Sequence, residues 1–232
     1  MASTKRSILH TDKDSGVRST DARDALLLAA ERCLALHGLD GVSLNVIVKE
    51  AGQRNSSAVQ YHFGDRKNLI REILKYRITA VNKNREDRYR EVCNNPGGPG
   101  LIDLVEALVL PLSDVIISSS SPSYYVRFLE HLTNHSVYFA VLEETGWPIS
   151  RGFAKVTEHI RVKLAHLPEV IQSWRIRSLG ENMIASLANV ETMIQLRQIG
   201  TIDGIVSDLV DQLVVALEAI PSEKTLGLIR NS

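Results

Sequence analysis

A short stretch between Arg54 and Lys67 concentrates side chains that can hydrogen-bond to the edges of nucleobases and to phosphates. Hydroxyl and amide groups suit base edges in a DNA groove, while arginine takes either a guanine edge or a phosphate. A helix N-terminus in the same stretch adds free N–H groups that favour an anion. The candidate DNA-contacting residues are Ser43, Arg54, Asn55, Ser56, Ser57, Gln60, Tyr61, His62, Arg66 and Lys67.

The first of two short helices must begin at Ser43, which is a good N-cap residue. Apolar residues then follow the i, i+3, i+4, i+7 pattern of one buried face through residues 44–51. Gly52 is placed to end this helix as a C-terminal glycine.

The second short helix is predicted to be capped by Asn55 and to run to about His62. Val59 and Phe63, four residues apart, would face inward and leave Gln60 and Tyr61 facing outward. This order of a helix, a tight glycine turn and a short second helix is typical of a helix-turn-helix. The second helix of that motif lies in the major groove.

Residues 25–74 resemble the DNA-binding domain of the TetR family of bacterial regulators. The matching residues are Ala29-Ala30, Gly38, Gly41-Val42-Ser43, Ile47, Glu50-Ala51-Gly52, Tyr61-His62-Phe63 and Lys67-Asn68-Leu69-Ile70. The resemblance implies that Gln60, Tyr61 and His62 contact bases and phosphates, and that Arg66 or Lys67 contacts a phosphate. The turn is one residue longer than the common form, and Gln60 stands where the family usually has tyrosine. The family's base preference therefore does not transfer to this sequence.

The charge distribution is consistent with a DNA-contacting N-terminal part. The whole chain has a formal net charge of zero. Residues 1–92 hold 17 Lys/Arg against 12 Asp/Glu, whereas residues 93–232 hold 10 against 15. A basic head on an acidic body is the asymmetry that DNA binding favours.

Helical periodicity extends along almost the whole chain, and no segment shows the strict alternation of a strand. The sequence predicts an all-α protein of about nine helices, with later helices near 101–118, 122–135, 148–166, 168–198 and 203–220. We expect a disordered tail over 1–20, a helix-turn-helix domain over 21–66, and a ligand-binding and dimerisation domain over 67–232.

The helices near 168–198 and 203–220 are apolar on more than one side, as helices are when fully buried or packed on a partner chain. The family resemblance implies a homodimer in which these two helices from each subunit form the interface. A two-fold dimer also suits a pseudo-palindromic operator in double-stranded DNA. The alternative is that both helices belong to the core of a monomer.

Aromatic residues concentrate between 124 and 147, where the family fold would enclose a small-molecule pocket. The candidate pocket residues are Tyr124, Arg127, Phe128, His131, Tyr138, Trp147, Asn182 and Asn189. Aromatics at helical spacing equally suit a packed core. His131 and His135 share a helix face, but no third ligand accompanies them, so we expect a surface pair and no metal.

Several functions are disfavoured. No apolar run is long enough for a membrane span, and the polar start of the chain is no signal peptide. Cys33 and Cys93 form no disulfide framework, which favours the reducing cytoplasm. No catalytic or cofactor-binding arrangement stands out. We expect a transcriptional repressor released from its operator by a small hydrophobic or amphipathic effector. The alternative is a helical small-molecule-binding protein or enzyme that does not bind DNA.

Overall fold

The structure is a computed structural model that describes residues 13–55, 57–117, 122–146 and 150–230. Its helices are α1 Lys13–His37, α2 Leu44–Glu50, α3 Ala58–Phe63, α4 Arg66–Cys93, α5 Leu101–Ile117, α6 Tyr125–Thr133, α7 Phe139–Val141, α8 Arg151–Lys163, α9 Glu169–Gln195, α10 Asp203–Glu218 and α11 Glu223–Arg230. A π-helical turn, Leu142–Gly146, continues α7. Every regular element in the described ranges is helical, which confirms the all-α prediction.

The helix boundaries differ from the sequence prediction mainly at the N-terminus. Helix α1 begins at Lys13, so residues 13–20 are helical and not part of a disordered tail. These residues contain no proline and directly precede a helical segment with a well-buried side, and a helix propagates more easily than it nucleates. Residues 1–12 lie outside the described part of the chain. The elements at 139–146 and 223–230 are also additional to the prediction.

Helices α1 to α3 pack around a small apolar core that continues onto the first turns of α4. Leu26 and Ala30 of α1, Ile47 of α2 and Val59 of α3 are all almost completely buried. Ser43 is the N-cap of α2 and accepts a hydrogen bond from the amide of Val46. These interactions confirm the predicted inward faces of both short helices.

The larger body is built around α4 and α5, with α8 against both of them. Helix α9 packs on α6, and α10 packs on α5 and α9. At residue 152 the contact between α8 and α4 has no space for a side chain, because a Cβ on Gly152 would lie 2.8 Å from the Asn82 Oδ1. The Gly152 amide instead donates a hydrogen bond to that oxygen over 2.9 Å. None of the described helices has the length and apolar character needed to cross a membrane.

Two amides at the N-terminal end of α6 donate hydrogen bonds to a side chain of α9 that is distant in sequence. The carboxylate of Glu191, only 1% exposed, accepts from the backbone amides of Val126 at 3.3 Å and Arg127 at 3.0 Å. Burial raises the pKa of Glu191, while these hydrogen bonds and the nearby Arg127 charge oppose that rise. The carboxylate thus satisfies amides that a helix start otherwise leaves without partners, and it fixes the orientation of α6 on α9.

Replacing Glu191 with alanine should lower the free energy of unfolding by about 2 to 4 kcal/mol, because two buried amides lose their acceptors. The Glu191→Gln variant keeps one acceptor oxygen in place and should lose less. Urea denaturation followed by circular dichroism measures both values. Equal losses in the two variants would contradict the assigned role of the acceptor oxygens.

Candidate functional site

The turn between α2 and α3 is built on glycine. Gly52 has φ +67°, a left-handed conformation that glycine adopts without strain. Its amide donates to the carbonyl of Lys49, and the amide of Gln53 donates to the carbonyl of Val48, both at 3.0 Å. These two bonds form a Schellman motif. The predicted helix end at Gly52 is therefore confirmed.

Helix α3 begins two residues later than the predicted cap at Asn55 implies. The Asn55 Oδ1 accepts from the amide of Ser57 at 3.0 Å, and Ser57 itself stands at the N-cap position. Asn55 thus shapes the turn before the helix, as asparagine often does in such turns. Ser56 lies outside the described residues.

One side of α3 packs on the core while the other faces solvent. Val59 and Phe63 are buried as predicted, and Ala58 is buried with them. Gln60 is exposed, and Tyr61 is 82% exposed with its ring at the helix surface. The half-buried ring of His62 meets the Tyr61 ring edge-on, with centroids 4.9 Å apart. Tyr61 is the largest exposed aromatic side chain on this helix, and burying it requires a partner outside the subunit.

Two arginines near α3 have different environments. Arg54 is exposed in the turn, where its guanidinium is accessible to an anion. Arg66, at the first position of α4, instead donates to the carbonyl of Leu39 at 2.5 Å and to the carbonyl of Val42. These bonds engage the guanidinium in the loop between α1 and α2, which disfavours the phosphate contact expected for Arg66.

Lys67 keeps an exposed ammonium group next to Arg66. Its Nζ lies 3.5 Å from the Glu144 carboxylate of the π-helical turn, and the Arg71 guanidinium lies at the same distance from that carboxylate. Both pairs are long and largely solvated, so each contributes little to stability. Lys67 therefore remains available for a phosphate.

The body contains a cavity of about 510 Å³ between α4, α6, α8 and α9. Its apolar wall is formed by Ile78, Val81, Leu112, Leu129, Ile176 and Met183. Hydroxyl groups of Tyr125, Thr133, Ser150 and Ser173 add polar points. The volume falls in the range of small-molecule sites, roughly 300 to 1,000 Å³.

None of the predicted pocket residues in the described part of the chain lines this cavity. Phe128 is packed in the core, stacked on Tyr125, whereas Asn182 and Asn189 are exposed on α9. Trp147 lies outside the described residues. The cavity adjoins α6 and α9, which carry predicted pocket residues, but it is lined by other positions on them and by residues of α4, where no pocket residue was predicted.

The remaining predicted pocket residues form contacts elsewhere. Arg127 extends over the ring of Tyr124 and donates to Gln195. The Nε2 of His131 lies 3.1 Å from the Ala35 carbonyl of α1, which places this side chain between the body and the helix-turn-helix head. Tyr138 stacks near His135, whose Nε2 is 3.0 Å from an Asp40 oxygen. The two histidines therefore have separate partners.

Arg85, which is not among the predicted pocket residues, is the buried charged residue of the cavity. It lines the cavity at 4% exposure, and its Nε has no hydrogen-bond partner among the described residues. Its guanidinium lies over the ring of Phe153, 5.6 Å from the centroid. Burial lowers the pKa of Arg85 to about 10, with Tyr125 opposing that shift, so the side chain stays charged at neutral pH.

A sequence signal for Arg85 does exist. The buried positions Ile78 and Val81 of α4 set a stripe that continues at position 85 with i, i+3, i+7 spacing. Residues 82–91 are otherwise almost all polar, which hides this register in the sequence. On the same helix Tyr76 is 45% exposed, whereas Ile78 is buried.

Comparison with known proteins gives one partial sequence match. No family model matches the sequence. A segment of 56 residues is 36% identical to the HTH-type transcriptional repressor AcnR of Corynebacterium glutamicum. The match covers 24% of this chain and spans 29% of that repressor.

Solved structures match over most of the chain. A TetR family transcription regulator from Marinobacter aquaeolei VT8 superposes with a TM-score of 0.61 at 15% identity, covering 87% of this chain and 97% of that protein. NalD, the secondary repressor of the MexAB-OprM multidrug efflux pump in Pseudomonas aeruginosa, gives a TM-score of 0.55 at 18% identity, covering 86% and 96%. These likenesses confirm the expected family resemblance at the level of architecture, and the chain has the fold of the TetR family of transcription regulators.

Proposed function

We propose that the protein is a dimeric transcription regulator that binds operator DNA through α3 and is released by a small effector in the body cavity. In this proposal the helix-turn-helix domain spans residues 21–66, and residues 67–232 bind the effector and the partner subunit. The match of one segment to a helix-turn-helix repressor supports repression as the mode of regulation.

The exposed face of α3 is the observation that carries the DNA-binding proposal. A short helix with Gln60 and the 82% exposed Tyr61 on its outer side, held by a buried inner side, presents hydrogen-bonding groups to a groove. Arg54 and Lys67 flank this face and supply positive charge for phosphates. We no longer expect Arg66 among the phosphate contacts, since its guanidinium is hydrogen-bonded to loop carbonyls.

Exposed apolar side chains on α9 and α10 support the dimer. Val170 and Trp174 of α9 are 57% and 64% exposed, and Val215 of α10 is 68% exposed. A helix pair that presents apolar groups to solvent in one subunit is suited to burying them against the same pair of a second subunit.

The π-helical turn supports a link between the cavity and the reading head. Leu142 and Glu143 of this turn line the cavity, while the adjacent Glu144 lies beside Lys67 and Arg71 at the start of α4. An effector that binds more tightly when this turn is displaced would favour the displaced conformation, and the DNA-contacting residues would move with it. Such a difference in effector affinity between two conformations is what coupling requires.

The proposal is tested by selecting bound sequences from random double-stranded DNA with the purified full-length protein. We expect enrichment of a pseudo-palindrome. The logarithm of the binding constant should fall linearly with the logarithm of the salt concentration, because binding releases counterions. A chain that enriches no sequence and shows no salt-dependent binding would instead be the helical small-molecule-binding protein or enzyme of the alternative hypothesis.

Replacing Gln60 and Tyr61 together with alanine should weaken binding to the selected sequence by about 100-fold or more, because base contacts are lost at both half-sites. Gel-shift titration measures the affinity, and sedimentation analysis checks that the variant has the wild-type oligomeric state. Tyr76→Ala is the matched control, since Tyr76 is exposed on α4 away from the proposed reading face. Unchanged sequence preference in the double variant would contradict the assignment of α3.

A further inference from the structure

The cavity in the body has one buried charge and no buried counter-charge. Among the described residues, no carboxylate lies within ion-pair distance of the Arg85 guanidinium, and its Nε lacks a hydrogen-bond partner although the side chain is 96% buried. A buried cation without a partner is unfavourable, and proteins pair such groups or place them where a ligand supplies the partner.

The other charged residues of the cavity lie at its exposed rim. Glu143, Arg177 and Glu181 line it but are exposed. Arg177 and Glu181 are also paired with each other, at 2.8 Å between Nε and Oε1. The rim therefore leaves the single positive charge of Arg85 unbalanced in the interior.

The chemistry around Arg85 defines the missing partner. A guanidinium offers a planar pair of donors that matches a carboxylate, and one positive charge balances one negative charge. The Tyr125 hydroxyl of the lining can donate a further hydrogen bond to an oxygen anion. The Thr133 hydroxyl already donates to the carbonyl of Glu130 at 2.9 Å. Beyond these groups the wall is mainly apolar, formed by residues such as Val81, Leu112 and Met183 together with Phe139 and Phe153.

We propose that the cavity binds an amphipathic carboxylate, whose head group pairs with the Arg85 guanidinium and whose apolar tail lies along the apolar wall. This proposal assigns the effector of the proposed function to an anionic class of molecule. It rests on the proposed function in one respect, because it takes the ligand of this cavity to be the effector. A ligand of this class gives the buried Arg85 guanidinium a counter-charge, and its apolar tail is removed from water against the apolar wall of the cavity.

The experiment compares three probes of equal chain length with the full-length protein at neutral pH, namely decanoate, 1-decanol and decylammonium, by isothermal titration calorimetry. Decanoate should bind at least about tenfold more tightly than the alcohol, because charge-assisted hydrogen bonds to Arg85 are lost in the alcohol. Decylammonium should bind most weakly, since it places a second cation beside the guanidinium.

Three variants assign the preference to Arg85. Arg85→Met should lose the preference for decanoate while still binding the alcohol, which shows that the cavity remains formed. Arg88→Met, which removes an arginine of the same helix that does not line the cavity, should keep the wild-type preference. Arg85→Lys should restore part of the preference by restoring the charge without the planar donor pair.

The inference is overturned if the three probes bind equally, if none binds, if the cation binds best, or if Arg85→Met keeps the preference for the carboxylate. Binding to the selected DNA, measured on the same preparations, separates this result from the proposed function. A protein that binds DNA but not decanoate contradicts only the ligand class. A protein that binds decanoate but no DNA supports the site and contradicts the regulator.

Discussion

Replacing Arg77 with methionine should lower the free energy of unfolding by about 3 to 5 kcal/mol, because it leaves a buried carboxylate without its partner. The Arg77 guanidinium donates two hydrogen bonds to Glu31, at 2.6 Å and 2.8 Å, and the Glu31 side chain is only 4% exposed. Burial by itself lowers the pKa of Arg77, but the hydrogen bonds and charge of Glu31 raise it overall. The pair joins α1 of the head to α4, so its loss should loosen that junction.

Urea denaturation at fixed protein concentration measures this loss. Arg88→Met is the control on the same helix, since Arg88 pairs with Asp114 at 2.9 Å but both side chains are about one third exposed. That variant should lose about 1 kcal/mol or less. The double variant Glu31→Leu with Arg77→Met should recover much of the stability, because it removes both buried charges. A single variant no less stable than the Arg88 control would contradict the buried pair.

Replacing Arg85 with methionine should have the opposite effect and raise the stability of the ligand-free protein by about 1 to 3 kcal/mol. The desolvation that lowers the pKa of Arg85 to about 10 corresponds to about 3 kcal/mol at neutral pH, and methionine fills similar space without a charge. Because the pKa is lower in the folded than in the unfolded chain, this penalty is fully present at neutral pH and is relieved only above about pH 10.

Thermal and urea denaturation of the two proteins, without ligand and at equal concentration, measure the difference. Lost cation–π contact with Phe153 offsets part of the gain. A clear loss of stability in Arg85→Met would mean that the guanidinium is a structural group with its own favourable contacts. Arg177→Met, which changes an exposed arginine on the same cavity, should leave stability nearly unchanged.

The local parts of the reading head were predictable from the sequence because their causes are local. Ser43 as an N-cap and Gly52 as a C-terminal glycine act within one helical turn, and Val59 and Phe63 face inward because of their spacing alone. Arg66 is the first residue of α4, and its hydrogen bonds run to the carbonyls of Leu39 and Val42. Those carbonyls are more than twenty residues away in sequence, and residue spacing carries no information about them.

The cavity was harder to predict because its lining depends on distant contacts. Tyr124 and Tyr125 are neighbours in sequence, yet only Tyr125 lines the cavity. The difference follows from where α6 begins and how it is rotated, which the buried carboxylate of Glu191 fixes from another helix. The same applies to His131, whose ring contacts the carbonyl of Ala35 in the head. Composition predicted a pocket near α6, but the packing determines which residues line it, those of α4 included.

The hydrogen bonds of Arg66 to the loop between α1 and α2 have a mechanical consequence. They connect the first residue of α4 to the head, so we expect the head and this end of α4 to rotate together as one rigid unit. Arg85 lies nineteen residues further along the same helix, a distance of about 28 Å at 1.5 Å per residue. A tilt of about 5° about the cavity end would carry the head through about 2.5 Å. In a two-fold dimer the two reading helices would change their separation by up to twice that amount, set against a half-site spacing of about 34 Å.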